Sequence, residues 1–178
     1  MKGGFNDTNC QYNTIILIGL TMKNILISFL LLIPSFGYSQ KSGIDTLTFC
    51  LRPDGVAVGG YDVVSYFQAN TPKIGKPELT AIHDGISYRF SSDENLQKFF
   101  TNPNKYIPQF GGWCSMTLVM GRATKPTYDN FAILSDKLYL FERTLSVNGK
   151  ELWLKDVKGN EKIATKNYTS YRSTGKIK

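Results

Sequence analysis

Residues 78–100, with the sequence ELTAIHDGISYRFSSDENLQKFF, decide the fold. Glu78–His83 and Ile86–Phe90 have the composition of strands, and between them lies Asp84-Gly85, a dipeptide that strongly favours a two-residue β-hairpin turn. Ser92 follows, with two acidic residues directly after it, as at the capped N-terminus of a helix. The stretch therefore predicts a β-hairpin followed at once by a helix.

A second hairpin is predicted further along the chain. Phe131–Leu134 and Leu138–Phe141 alternate around the polar residues 135–137. Helical patterns occur between and after the hairpins, in the segments 103–108, 113–120, 147–156 and 160–168. The order of hairpin, helices, hairpin, helices predicts an α+β domain, with an antiparallel sheet built from two β-hairpins and short helices packed on it.

Upstream of the first hairpin, a glycine-rich segment leads into a short predicted helix. Gly55–Gly60 precedes Tyr61–Phe67, and Asp62 is placed to cap this helix. The glycines have neither the spacing of a dinucleotide-binding fingerprint nor the Lys-Ser/Thr pair of a P-loop, so a phosphate-binding role is not expected. Asp62 is either a simple helix cap or a ligand-binding residue.

The chain of 178 residues has room for one globular domain, and its composition argues against long disordered, repetitive or fibrous structure. The sequence contains no HExxH, CxxC or GxSxG motif, which removes the common zinc-hydrolase, thioredoxin and serine-hydrolase classes. His83 is the single histidine, so any Cys–His pair and any imidazole-containing metal site would have to use it.

The first 39 residues predict a leader and a secretory signal peptide whose start is Met22. The apolar run Ile25–Ile33 follows Lys23, and small residues at positions 37 and 39 suit cleavage before Gln40. A membrane span over 14–33 is the alternative, although Lys23 lies near its middle. The signal predicts export to a periplasmic or extracellular location.

Charge divides the rest of the chain into an even body and a basic end. Residues 40–142 hold ten basic and ten acidic residues, whereas residues 143–178 hold nine basic and three acidic. We therefore expect a leader in 1–39, an N-terminal extension in 40–54, a domain in 55–142 and a basic helical segment with a tail in 143–178. The basic segment is either a solvated helix face or a contact for an anionic surface, and it lacks the interleaved aromatic residues of a nucleic-acid-binding module.

Two cysteines, Cys50 and Cys114, remain downstream of the predicted signal peptide. Spacing alone does not show whether their side chains meet, so a disulfide between them stays open. Cys114 follows Gly111-Gly112 at a predicted helix start. It is either an activated nucleophile, with His83 as its base, or a buried thiol among apolar neighbours.

Three segments resemble the extended, exported branch of the YHS domain family: GVAVGGYDVVSYF at 55–67, HDGISYRFSSDENLQKFFTNPNKYIPQFGGWC at 83–114, and KLYLFE at 137–142. Tyr88, His83 and Ser92 are the counterparts of the Tyr, His and Ser for which the family is named. The resemblance spans residues 55–142.

This resemblance implies a metal-binding fold that has lost its metal ligands. Short YHS domains are thought to bind metal through cysteines, and their counterparts here are Ser65, Ser91 and Asn95. A hydroxyl is a poor substitute for a thiolate as a ligand of a soft metal, so a thiolate metal site is not expected. A metal ion is the one cofactor that the family suggests.

We therefore expect an exported, non-enzymatic module that binds a metal ion or a small ligand. Its candidate ligand-binding residues are Asp62, His83, Tyr88 and Cys114. One alternative is an enzyme or redox protein that uses Cys114 with His83. A further alternative is a surface-interaction protein that uses the basic C-terminal segment.

Overall fold

The computed structural model describes residues 48–69 and 71–177. The predicted leader, its signal peptide and residues 40–47 of the predicted extension lie outside the described residues. Four described strands pair as two antiparallel hairpins, and they are β1 (Lys76–His83), β2 (Ile86–Phe90), β3 (Thr127–Leu134) and β4 (Lys137–Phe141). The predicted α+β class is confirmed.

Each hairpin forms a two-stranded sheet of its own. The second edge of β2 is bridged by Val56, which pairs with Ser87, and the second edge of β4 is bridged by Cys114, which pairs with Leu140. Each bridge lies on the edge of the second strand that is not paired within its hairpin.

Helices precede, separate and follow the two hairpins. The α-helices are α1 (Asp93–Thr101), α2 (Pro103–Tyr106), α3 (Ser115–Val119), α4 (Gly149–Leu154) and α5 (Val157–Thr174). Short 3₁₀ turns cover 58–60, 65–67 and 109–112. Within residues 48–69 and 71–177, no helix has the length and apolar character that crossing a bilayer requires.

Both hairpins turn in the same backbone conformation. Asp84 and Gly85 have φ of 50° and 76°, and Ser135 and Asp136 have φ of 48° and 58°. Positive φ at both central residues is the type I′ turn, whose twist matches that of the paired strands. The Asp-Gly turn is thus confirmed, and the second hairpin adopts the same turn at two residues for which positive φ is less favourable.

Strand β4 lies between two hydrophobic clusters. Successive side chains of a strand point to opposite faces. Leu138 and Leu140 accordingly pack with β1, β2 and α1 in the first cluster, whereas Tyr139 and Phe141 pack with α3, α4 and α5 in the second. All four side chains are buried. The burial of both faces of β4 joins the two clusters into one core.

Both ends of the described chain pack against this core. Trp153 of α4 and Ala164 of α5 are fully buried, and the Asn167 amide donates a 2.7 Å hydrogen bond to the Leu118 carbonyl at the end of α3. At the other end, the Cys50 N–H donates a 2.9 Å hydrogen bond to the carbonyl of Gly111. The predicted C-terminal segment and the described part of the predicted extension therefore belong to the packed body.

The described chain contains the same order of structural elements twice, once in residues 58–101 and once in residues 110–154. Each half opens with a left-handed segment: Val58–Gly60 has φ of 52°, 62° and 87°, and Phe110–Gly112 has φ of 55°, 61° and 81°. In both halves a short helix, a hairpin and a further helix follow. This duplication of elements is not apparent from the composition of the chain.

The two hairpins of this repeat share one register. Ala81 pairs with Tyr88 in the first hairpin, and Ala132 pairs with Tyr139 at the same place in the second. In both hairpins the pairing register shifts within the first strand, between Lys76 and Thr80 in β1 and between Thr127 and Phe131 in β3. The following helix then supplies one aromatic side chain, Phe99 or Trp153, against the two aromatic residues of the second strand.

Candidate functional site

Asp62 is a fully buried carboxylate that accepts five hydrogen bonds. Its Oδ1 accepts the backbone N–H groups of Val64 at 2.9 Å and of Ser65 at 3.3 Å, so the carboxylate stabilises the turn that leads into the short 3₁₀ helix 65–67. Its Oδ2 accepts the Ser91 N–H at 2.8 Å, the Ser91 hydroxyl at 2.6 Å and the Asn95 amide at 2.7 Å. Donors from the protein itself therefore already occupy both oxygens of the Asp62 carboxylate.

Ser65, Ser91 and Asn95, the three positions that the resemblance pairs with cysteines, come together around Asp62. Ser91 and Asn95 bind its side chain, and the Ser65 hydroxyl donates a 2.6 Å hydrogen bond to its carbonyl. The Asn95 carbonyl oxygen in turn accepts a 2.9 Å hydrogen bond from the side chain of Gln68. These residues form a closed hydrogen-bond network in the first half of the repeat.

Cys114 occupies in the second half the position that Asp62 has in the first. Both residues follow a left-handed Gly-Gly segment and an aromatic residue, and both precede a short helix. The Cys114 N–H donates a 2.9 Å hydrogen bond to the Thr124 carbonyl, and the Asp62 N–H donates a 2.8 Å hydrogen bond to the Lys73 carbonyl. The two side chains therefore start from equivalent backbone positions.

The equivalence extends to the residue that follows each hairpin. The Glu142 N–H donates a 3.1 Å hydrogen bond to the Cys114 sulfur, as the Ser91 N–H does to the Asp62 carboxylate. Cys114 is 0% exposed. Its thiol is therefore held beneath the surface, where a reagent cannot reach it without a movement of its neighbours.

Beside Cys114 lies a pocket of about 320 Å³, which we call the Cys114 pocket. Its volume falls at the lower end of the range of small-molecule sites. The residues that give the pocket its chemistry are apolar (Met116, Met120, Val147 and Leu152) or polar (Arg122, Thr124 and Glu142). Cys114 is also a lining residue of this pocket.

Two opposite charges line the Cys114 pocket. One oxygen of the Glu142 carboxylate accepts a 2.9 Å hydrogen bond from the Thr124 hydroxyl, and an Arg122 Nη lies 3.9 Å from the Met120 sulfur. Among the residues that the structure describes, neither Glu142 nor Arg122 takes part in an ion pair. Both groups retain hydrogen-bonding capacity toward the pocket.

His83 and Tyr88 line a different and smaller pocket of about 200 Å³, together with Asn104 and Arg172. The His83 Nε2 lies 3.7 Å from the Asp84 carboxylate. Tyr88 is buried, and this burial strongly raises the pKa of its phenol. The volume lies below the usual range of ligand pockets.

The four sequence candidates thus occupy three separate places. His83 and Tyr88 share a pocket, Asp62 belongs to the hydrogen-bond network, and Cys114 borders the larger pocket. The sequence reasoning did not identify Glu142 and Arg122. The signal that could have found Glu142 is the repeat, because the residue after the first hairpin binds Asp62.

Cys50 and Cys114 are both free thiols. Burial raises the pKa of Cys50, and a hydrogen bond from Tyr128 and the charge of Lys125 oppose this effect. In the described ranges, no group of three or more His, Cys, Asp or Glu residues is arranged to hold a metal ion.

Comparison of the chain with family models, curated proteins and solved structures gives no match.

Proposed function

We propose that this protein is an exported, non-enzymatic module of YHS type that binds a small organic ligand in the Cys114 pocket. One observation carries the proposal: Glu142 and Arg122 line the same largely apolar pocket, and neither has an ion-pair partner among the described residues. An apolar pocket with a few convergent polar groups is the usual form of a small-molecule site.

The lining favours an organic ligand over a metal ion. The Arg122 guanidinium is always charged, so it disfavours a cation in the same pocket. The Cys114 thiol already accepts the N–H of Glu142 and has no exposed surface. Of the two expectations, a metal ion or a small ligand, we therefore propose the small ligand.

The methionines allow a direct test. The chain contains four methionines, and two of them, Met116 and Met120, line the Cys114 pocket. Spectra of protein labelled with ¹³C-methyl methionine should show shifts of the Met116 and Met120 signals when a mixture of small organic fragments is added. Met116→Leu and Met120→Leu assign the signals.

A matched pair of variants on α4 supplies the control. Leu152 lines the pocket, whereas the exposed Leu154 lies outside the pocket lining on the same helix. Leu152→Trp should fill the pocket and abolish the fragment-induced shifts, and Leu154→Trp should preserve them. An absence of shifts with every fragment, or shifts that survive Leu152→Trp, would contradict the proposed function.

A further inference from the structure

We propose that the Cys114 pocket receives a primary carboxamide group of its ligand, at the place where the first half of the chain holds its own Asn95. This inference rests on the proposed function and adds the chemical class of the ligand. Three features of the molecule support it: the equivalence of the two halves, the path of the chain after each hairpin, and the charges that line the pocket.

In the first half, the carboxamide of Asn95 is held at both of its ends. Its nitrogen donates a 2.7 Å hydrogen bond to the Asp62 carboxylate and a longer, 3.5 Å one to the Ser91 hydroxyl. Its oxygen accepts a 2.9 Å hydrogen bond from the amide of Gln68. Asn95 is 4% exposed, so this arrangement is a buried carboxamide site.

The second half contains the same site with other side chains. The three residues that hold Asn95 have counterparts in equivalent positions. Cys114 corresponds to Asp62, and Glu142 corresponds to Ser91. Met120 corresponds to Gln68, because each of these two residues ends the short helix of its half. All three counterparts line the Cys114 pocket. The pocket therefore corresponds to the place that Asn95 fills in the first half.

A different chain path keeps this place open in the second half. In the first half α1 begins at Asp93, directly after the hairpin, and its first turn brings in Asn95. In the second half α4 begins only at Gly149. The intervening residues 143–148 form a tight loop, closed by a 2.9 Å hydrogen bond from the Thr144 N–H to the Val147 carbonyl. This loop borders the pocket and does not fill it.

The charges of the pocket fit the two ends of a carboxamide. Glu142 supplies the carboxylate that Asp62 supplies in the first half, and it can accept the carboxamide N–H groups. Arg122 lies 3.9 Å from the sulfur of Met120, the counterpart of Gln68, so its guanidinium reaches the region from which Gln68 donates. It can donate to the carboxamide oxygen. The apolar remainder of the ligand would contact Met116 and Leu152.

A matched set of probes tests this inference on the full chain. Benzamide and benzoate have the same ring, and Arg122 can donate to an oxygen of either probe. Benzoate, however, lacks the N–H donors and carries a negative charge that Glu142 repels. In titrations followed by the methyl signals of Met116 and Met120, benzamide should bind at least about tenfold more tightly than benzoate. Equal or tighter binding of benzoate would overturn the inference.

Two pocket variants and one control complete the test. Glu142→Gln should weaken benzamide binding and reduce the preference over benzoate, because it removes the carboxylate. Arg122→Ala should weaken benzamide binding, whereas Lys125→Ala, which removes a neighbouring charge outside the pocket lining, should have no effect. Unchanged benzamide binding in both pocket variants would also overturn the inference.

The two proposals fail in different ways. Suppose that other fragments shift the methionine signals in a way that Leu152→Trp removes, while benzamide binds no more tightly than benzoate. Such a result shows that the pocket binds ligands without a preference for a carboxamide. In that case the carboxamide class is wrong and the proposed function stands. If no fragment of any class shifts the signals, both are wrong.

Discussion

At the scale of single residues, Asp62 and Cys114 show how one backbone position supports two kinds of site. Each side chain accepts the N–H of the residue that follows its hairpin. The carboxylate has enough lone pairs to accept four further hydrogen bonds, so it gathers polar side chains around it and closes the site. The thiol is a weak acceptor, and the polar groups near it remain available to a ligand.

Loss of the Asp62 carboxylate should strongly destabilise the protein. Asp62→Ala leaves the donors of the half-buried Ser91 and the buried Asn95 without their acceptor, and we expect the free energy of unfolding to fall by about 3–5 kcal/mol. Urea denaturation measures this change. Asp54→Ala is the control, because Asp54 is exposed and its ion pairs with Arg52 and Arg89 should contribute at most about 1 kcal/mol. Similar losses in the two variants would contradict the structural role of Asp62.

The two thiols should react slowly in the folded protein. Cys114 has no exposed surface, and Cys50 is 5% exposed with a pKa that burial raises, so less of it is thiolate at neutral pH. Iodoacetamide labelling followed by peptide mapping should modify both residues only after denaturant is added. Rapid labelling of Cys114 in the folded, reduced protein, slowed by His83→Ala, would favour the enzyme or redox alternative.

At the scale of elements, the sequence was sufficient to predict local structure where a few neighbouring residues determine the backbone conformation. Asp84-Gly85 specifies the first turn, and Ser92 accepts the Asn95 N–H at the start of α1, as the sequence predicted. The second turn was less specific because Ser135 and Asp136 have no strong preference for positive φ. The repeat was missed because its halves share a backbone path and few identical residues.

The two turns should respond in opposite directions to exchange of one residue. Asp136 and Gly85 occupy the same place in their hairpins, with φ of 58° and 76°. Asp136→Gly should relieve an unfavourable φ and stabilise the protein by about 0.5–1 kcal/mol, and Gly85→Asp should destabilise it by a similar amount. A Cβ at Gly85 would meet no atom within 4 Å, so the second effect is one of the backbone alone.

Thermal unfolding of the two variants checks this prediction. Both proteins should keep the circular dichroism of the parent chain, while their midpoints move to opposite sides of it. A shift in the same direction for both variants would mean that side-chain contacts of Asp136, and not the turn conformation, determine the effect.

At the scale of the whole molecule, candidate residues could be named from the sequence, but their grouping could not be predicted. The alternative of an enzyme or redox protein pairs His83 with Cys114, yet the two residues border different pockets. The grouping depends on how the two halves pack and on where α4 begins, and both are set by contacts between distant residues. Glu142 and Arg122 are recognised as candidate ligand-binding residues only when the second half of the chain is compared with the first.

We propose that residues 1–39 are removed at a single point during export. Gly37 and Ser39 are small residues at the positions that signal peptidase reads, so the exported protein should begin at Gln40. Intact-mass analysis of the exported protein measures this. Ser39→Leu should block the cleavage, and Ser42→Leu, which lies beyond the cleavage point, should not. A membrane-embedded product that retains Met22 would support the alternative of a membrane span over 14–33.

The exposed face of α5 carries a row of basic residues. Lys158, Lys162 and Lys166 recur at every fourth residue and are exposed, so they form one row. The single acidic residue of α5, Glu161, is bound by the Lys137 ammonium at 2.8 Å and by the Tyr139 hydroxyl at 2.7 Å. Glu161 therefore does not neutralise the lysines of the row, and their positive charge can attract an anionic surface outside the protein.

We expect the row to support binding to vesicles that contain anionic phospholipid at low salt. Replacing its three lysines by glutamine should weaken the binding by about fivefold for each lysine removed, because each basic group near such a surface adds a separate attraction. The control replaces three exposed lysines elsewhere, Lys73, Lys76 and Lys105, and gives the same net charge. Co-sedimentation measures both. Equal weakening would mean that only net charge matters and that the row is a solvated helix face, whereas a larger loss from α5 would identify it as the contact surface.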